Sequence, residues 1–488
     1  MHHVVRYHCC RPQRGRQRRG AVAAAALMLL GACASTPPPT TPSSAPAIVI
    51  PLAWSGNENT APAGAASLAQ WWQRFDDALL ASLVAQALQA NTSVRSAHAA
   101  LRQARALRDV SGAGLLPDVG GSASVQRAKS GGGSARNNFK VGIDASWELD
   151  LFGANRSALE TSEATLLASA ASLGDVQVSI AAEVALAYIT LRNAQARLSI
   201  ANDNLAGQQE TLQLTQWRQQ AGLVTALEAE QARGAVEQTR AQLPLLYTTI
   251  AQTRHALAVL TGQAPAALAD ALATPTPLPR AAPDLALSLP AETLRQRPDV
   301  RAAEHQVRAA SGRVAQADAA RKPSFKLSGS LGLNALTLGS LTSGGAFAAA
   351  LLAGVTMPLF DGGAGNAQLR AQQAAFEQAQ LAYQAAVLTA LKDVEDALVA
   401  LRGNRERVAR LEQAAQASSN AAQLARQRFS SGLIDFQVVL DTQRSQLSTQ
   451  DSVAGARADL SADHVRLYKA LGGGWVPDAD SAVEPRPS

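Results

Sequence analysis

Over residues 140–150 the chain alternates without a break. Val141, Ile143, Ala145, Trp147 and Leu149 fall on one face, and Lys140, Gly142, Asp144, Ser146, Glu148 and Asp150 on the other. A period of two is that of a β-strand whose faces meet different media. After Phe152-Gly153 the alternation stops and an Ala-rich run begins, which predicts a helix of about 68 residues over 154–221, roughly 100 Å long. A second such junction lies at 355–362. Upstream of each strand is a partner. Val119, Ala123 and Val125 alternate with Asp118, Ser122, Ser124 and Gln126; Phe325, Leu327, Leu331 and Leu333 alternate with Ser324, Lys326, Ser328 and Asn334. The fourth strand carries Phe347, Leu351, Val355, Met357 and Leu359 on one face.

The chain states this design twice. Val94-Arg95 answers to Val300-Arg301, Pro117 to Pro323, Gly222-Leu223 to Gly432-Leu433, and Leu260-Thr261-Gly262 to Ala470-Leu471-Gly472. The shift is roughly 206–210 residues, too long for a solenoid and right for a duplicated domain. We therefore divide the chain into repeats at 76–262 and 299–472, with hairpins over 118–150 and 324–360. A Pro-rich connection over 263–298 joins them, and 473–488 is a tail. Each repeat reads helix, hairpin, long helix, Gly turn, return helix; Pro244 predicts a kink or break in the first return helix. The long helices carry apolar seams at spacings of three and four: Val176, Ile180, Val184, Ala187, Leu191 and Leu198, then Val387, Leu391, Val394, Leu398, Leu401 and Val408.

Composition agrees with close-packed helices, since 47% of the residues are hydrophobic and only 4% aromatic. The pI near 9.5 suggests a nucleic-acid partner until the charges are located. Arg6, Arg11, Arg14, Arg16, Arg18 and Arg19 precede Cys33 with no acid among them, so a chain beginning at Cys33 is nearly neutral. This leader reads as a signal peptide over 1–32, with an apolar run over 21–30 too short to span a membrane. Leu30-Gly31-Ala32-Cys33 resembles the lipobox of bacterial lipoproteins, which predicts diacylglycerol and N-acyl lipid on Cys33. The following Ala34 favours the outer membrane by the rule for such proteins. Residues 33–75 then supply a Ser/Thr/Pro-rich tether and a short segment beside the helices.

Four alternating segments of about ten residues match membrane β-strands. Beyond the leader no segment has the roughly 18 apolar residues of a membrane helix. A spanning chain must then form a closed barrel, because an open sheet edge is not satisfied in lipid. Four strands are too few to close, so association supplies the rest. Two or three copies would serve. In that setting Val141, Ile143, Ala145, Trp147 and Leu149 face lipid.

The motifs Ser146-Trp147-Glu148-Leu149-Asp150-Leu151-Phe152-Gly153, Arg295-Gln296-Arg297-Pro298-Asp299-Val300-Arg301, Pro358-Leu359-Phe360-Asp361-Gly362-Gly363 and Leu467-Tyr468-Lys469-Ala470-Leu471-Gly472-Gly473-Gly474-Trp475 resemble those of the TolC-like outer-membrane efflux proteins, in their NodT/OprM-type lipoprotein branch. The resemblance spans nearly the whole chain after Cys33. It implies a mixed α+β membrane fold: a homotrimer with a twelve-stranded transmembrane β-barrel, four strands per chain, continuing into a periplasmic α-helical coiled-coil barrel. It implies a passive exit duct for drugs or other small toxic compounds, with a periplasmic adaptor and an inner-membrane RND-type pump as partners. The alternative from the residues alone is a lipid-anchored coiled-coil scaffold without a pore.

Within the resemblance, the turns Gly222-Leu223-Val224 and Gly432-Leu433-Ile434-Asp435 would form the periplasmic tips that meet the adaptor, with Leu223, Val224, Leu433 and Ile434 exposed. Leu440-Asp441-Thr442-Gln443-Arg444 matches the family's Leu-Asp-x-x-Arg pattern, which implies a periplasmic gate at Asp441 and Arg444. Some relatives carry a further Asp three residues before the first; Val438 stands there, which implies a weaker cation ring. The first repeat has Gln231 and Gly234 instead, so the second repeat carries the gate.

Nothing points to catalysis, a cofactor or a resident metal. His98, His255, His305 and His464 are scattered without ligand spacing, and Glu304-His305 and Asp463-His464 read as surface polar pairs. Gly131-Gly132-Gly133-Ser134 lacks the Lys of a phosphate loop and reads as a hairpin tip.

Overall fold

In a computed structural model the described residues are 50–54, 68–129, 131–281 and 290–476. The predicted signal peptide, Cys33, most of the tether, and the end of the tail lie outside them. Two short helices, α1 (Ala78–Ala90) and α2 (Thr92–Ala113), lead into strands β1 (Asp118–Ala128) and β2 (Arg136–Leu149). Then come the long helix α3 (Ala154–Gln220) and its return α4 (Ala226–Leu260). The second repeat gives α5 (Pro290–Gln296), α6 (Pro298–Ala319), β3 (Ser324–Ala335), β4 (Phe347–Thr356), α7 (Ala364–Ser430) and α8 (Phe436–Ala470).

The strands form one antiparallel sheet in the order β1-β2-β3-β4. Its register pairs Val119 with Ala145, Ala123 with Val141, Leu149 with Phe325, Ile143 with Leu331, and Leu331 with Ala349. Odd-numbered residues therefore share one face across all four strands, and that face is apolar. Val125, Val141, Ile143, Leu351 and Val355 on it are all exposed in the single chain. Among the described residues neither β1 nor β4 has a second strand partner. A sheet with a bare apolar face and two open edges is not a stable end point in water.

Equal lengths in the two repeats make the duplication quantitative. The helices α2 and α6 have 22 residues each, α3 and α7 have 67, and α4 and α8 have 35. Read from these bounds, the displacement is 206 before the hairpin and 210 after it. The extra residues sit in the second hairpin loop, which forms two short 3-10 turns, Leu338–Thr342 and Gly344–Ala346. Strand β4 ends at Thr356, short of the predicted alternation; Leu359 and Phe360 beyond it are more than nine-tenths exposed.

Helix α4 runs unbroken through Pro244, contrary to the predicted kink or break. Pro244 is exposed, so water can reach the carbonyl it leaves unpaired. The predicted seams are the packing stripes: Val184, Leu191 and Val394 are fully buried, with Ile180, Val387 and Leu401 close to it. At the tip end α3 packs against α4 and α8, and α8 against α7. Nearer the sheet α3 packs against α2 and α6, and α6 against α7. The helices thus make a layer with free edges, as the sheet does.

The main core sits midway. Trp71 stacks on Tyr468 with ring centres 5.3 Å apart and meets Trp72 and Phe75 edge-on. The Pro-rich connection is pinned there: Leu268 and Leu272 are buried, and Arg192 and Gln195 bond the carbonyls of Thr274 and Leu272. One sequence expectation needs correcting at this level. Helix α3 contains an 18-residue window of mean hydropathy 1.3, long and apolar enough on composition to cross a membrane. Its apolar residues serve packing within the chain: Val184, Tyr188 and Leu191 have no exposed surface.

A second correction concerns Asp463-His464, expected at the surface. Both are buried, with Asp463 accepting from Asn404 Nδ2 at 2.6 Å and Arg466 Nη1 at 2.7 Å. Burial, with Arg405 and Arg74 nearby, lowers the His464 pKa to about 4. The unfolded imidazole titrates near 6.5, so the unfolded chain takes up a proton that the fold resists. Stability should be constant above about pH 6.5, decline towards pH 4 by at most about 3 kcal/mol, and level off below. Denaturant unfolding at pH 7 and 4.5 should show this decline, and His464→Gln should flatten it; an unchanged decline in the variant would assign it to other groups.

Candidate functional site

Four places along one path carry the residues singled out in the sequence. On the sheet, Val141 and Ile143 are exposed, while Ala145, Trp147 and Leu149 are half-buried on the same face. Trp147 Nε1 donates to the Leu115 carbonyl at 3.1 Å, fixing the ring where the helix enters the sheet. The opposite face is a polar groove lined by Asp118, Ser122, Asp144, Ser146, Ser328 and Ser330. Ser122 Oγ donates to Asp144 Oδ2 at 2.6 Å across the β1–β2 pair. One sheet thus carries an apolar face and a more polar one.

At the sheet–helix junctions Gly153 and Gly363 take φ of 80° and 90°, a left-handed turn that a side chain would strain. Phe152 lies 6.4 Å from Phe325, with Lys322 Nζ over its ring.

The tips are two matching turns. Gly222 and Gly432 have φ of 75° and 73°, and each following amide bonds back across the turn, Leu223 N to Arg218 O and Leu433 N to Arg428 O. This is the bonding of a glycine helix stop. Leu223 and Leu433 are each 73% exposed. Val224 and Ile434, expected to be exposed with them, are half-buried. Ile434 packs on a small apolar cluster that includes Phe429, Phe436, Val439 and Leu440, because the chain turns back on itself there. Asp435 stands at the residue before α8, where its side chain makes no capping bond, and is exposed.

Asp441 and Arg444 lie on the side of α8 away from buried Val439, Leu440 and Gln443. Their closest approach is 4.0 Å, both side chains are more than half exposed, and Gln437 Nε2 donates to Asp441 Oδ1 at 3.1 Å. Such an exposed i,i+3 pair contributes little stability. Its carboxylate and guanidinium are therefore free to answer to whatever approaches that face.

Sequence reasoning missed the ties that hold the two hairpins side by side. Arg218 donates to the carbonyls of Phe429 and Ser430 at 2.8 and 2.7 Å and covers the Phe429 ring. Arg197 makes a two-pronged pair with Asp451, and Gln443 Nε2 bonds Thr211 Oγ1 in the buried seam. Partners some 210–255 residues apart leave no local signal. Arg297 was visible only as part of a motif. It is 8% exposed, grips Asp299 with two nitrogens, reaches Asp393 at 3.3 Å, and donates to the Ala470 carbonyl at 3.0 Å. Burial alone would lower its pKa; the bonds and charges of Asp299 and Asp393 raise it instead. Among the described residues no group of His, Cys, Asp or Glu could hold a metal ion.

Known proteins share this arrangement. The profile of the outer membrane efflux protein family matches residues 83–263 and again 289–473. Outer membrane protein OprJ of Pseudomonas aeruginosa is 31% identical over 438 residues, covering 88% of this chain and 91% of OprJ. The pyoverdine export outer membrane protein OpmQ of Pseudomonas putida is 34% identical, over 84% of this chain and 89% of OpmQ. The solved outer-membrane channel OprN superposes with a TM-score of 0.81 at 37% identity, over 88% of this chain and all of OprN. The double match of the family profile falls on the duplicated helix–hairpin–helix units, and with these similarities it follows that the chain belongs to the outer membrane efflux protein family.

Proposed function

We propose that the protein is the outer-membrane exit duct of a tripartite efflux system, a homotrimer that passively conducts small toxic compounds received from an inner-membrane RND-type pump through a periplasmic adaptor. The observation that carries this reading is the register. It gathers the apolar residues of four strands on one face, leaves both sheet edges open, and runs directly into 67-residue helices. Three such sheets give twelve strands, enough to close around a hydrated lumen. The tips with Leu223 and Leu433 are the adaptor-docking surface in this reading, and Cys33 carries the lipid anchor. Labelled palmitate should enter the wild-type protein and not Cys33→Ser; labelling of both would exclude that anchor.

The gate is Asp441 with Arg444, repeated three times around the axis. Only pairs that these residues make to neighbouring copies, lost on opening, bias the gate, and each such exposed pair is worth about 0.3–0.5 kcal/mol. Three together shift a closed–open balance by about 1–1.5 kcal/mol, roughly tenfold in open population. The variant Asp441→Ala/Arg444→Ala should accordingly raise channel conductance in planar bilayers and let antibiotics leak into cells. Conductance equal to wild type would remove both residues from the gate.

A further inference from the structure

We infer that the end of the first hairpin is a docking surface for phosphorylated lipid of the outer leaflet, with Arg127 and Lys129 as the cations that hold its phosphates. This rests on the barrel reading above, which places the hairpin ends on the outside of the membrane.

The charges of the sheet are unevenly placed. From Val119 to Ile143 the first hairpin carries Arg127, Lys129, Arg136 and Lys140 and no acid, and the second hairpin has no charged residue over 327–360. The acids Asp118, Asp144, Glu148 and Asp150 lie from mid-sheet to the helix end. All four basic side chains are exposed, and among the described residues none of them makes an ion pair or a hydrogen bond. They therefore add no tie to the fold, and their charge is presented whole to the surroundings.

The register sorts these bases by face and by height. Val119–Ala145, Gly121–Ile143, Ala123–Val141 and Val125–Phe139 climb the apolar face, and the next pair on that face is Arg127 with Asn137. Lys129 follows directly on the end of β1 at Ala128. Lys140, opposite Ser124, and Arg136, opposite Ala128, fall on the other face with Asp144 and its polar groove. From Leu149 to Phe139 the apolar face runs for ten residues of β2, about 33 Å at about 3.3 Å each. At the strand tilt of about 40° usual in such barrels this is about 25 Å of height, the thickness of their apolar band. Val125 and Phe139 thus mark the outer edge of the hydrocarbon. Arg127, one pair further, stands about 5 Å beyond that edge, at the level of lipid phosphates. An arginine at this height keeps its stem along the apolar band and offers its planar fork to phosphate oxygens. The opposite face meets no lipid, so Arg136 and Lys140 take no part.

Labelled lipid A, titrated into the full-length protein in detergent and read by fluorescence anisotropy, tests the assignment. Each basic side chain beside an anionic lipid surface contributes about fivefold in affinity, so the wild type should bind lipid A about thirtyfold more tightly than lipid A stripped of its phosphates. Arg127→Gln with Lys129→Gln should lose that preference. Arg136→Gln with Lys140→Gln removes the same charge from the other face and should keep the preference to within about threefold. Equal affinity of the wild type for the two lipids would overturn the inference, and so would equal losses in the two variants. Conductance of the same wild-type preparation in planar bilayers separates the two levels. A conducting trimer without phosphate preference would overturn the docking surface and leave the duct standing, and a silent monomer would overturn both.

Discussion

Replacing Leu223 and Leu433 by Asp is expected to abolish efflux while leaving the protein folded, inserted and conducting. Both residues are 73% exposed at the crests of their turns, so neither contributes to a core. Surface changes of this kind shift stability by about 0.5 kcal/mol or less. Buried against a partner, one Leu is worth about 1.5–3 kcal/mol, and two per chain therefore more than about a hundredfold in docking affinity. Cells carrying the double variant should become as drug-susceptible as cells lacking the protein, while its conductance in bilayers stays at the wild-type value. Full resistance with both Asp residues in place would exclude the tips as the docking surface. Val224→Asp and Ile434→Asp would be poor substitutes, because those side chains are half-buried, and a loss there would report unfolding of the tip.

The second large effect lies far from the tips. Arg297→Ala removes the group that joins the start of α6 to Asp393 on α7 and to the end of α8. Breaking a buried ion pair costs about 3–5 kcal/mol, because the remaining charges keep their burial and lose their partner. Asp299 and Asp393 retain about a third of their surface, which places the cost near the lower end, about 3 kcal/mol. Arg297→Lys keeps the charge without the two-pronged fork and should fall between the two. Denaturant unfolding followed by fluorescence of the buried Trp71 measures both. A loss below about 1 kcal/mol for Arg297→Ala would mean that the network is not what joins these helices.

Much of the architecture was legible because its signals are local and periodic. Alternation at 140–150 marks a strand whatever surrounds it, and Gly222 and Gly432 mark helix stops through their left-handed backbone. The helix predicted over 154–221 runs Ala154–Gln220. Signals that depend on tertiary surroundings were read less well. Pro244 falls on a solvent-facing side of α4, where water relieves the break that its ring would otherwise impose. Asp463-His464 reads as polar, but the helix carries it into the seam, where Asn404 and Arg466 satisfy the acid. Val224 and Ile434 are apolar at a turn, and only the fold reveals that both are half-buried and that Ile434 packs inward. The motif around Arg297 marked a position without its purpose, since its partners other than Asp299 lie 93–173 residues further on.

The central claim is that this sheet, in several copies, closes around water in a lipid bilayer. Purified protein reconstituted in a planar bilayer tests it most directly. Discrete conductance steps from material of trimeric mass are the expected result. Persistent silence from monomers in detergent would contradict the account and leave a lipid-anchored coiled-coil scaffold in its place.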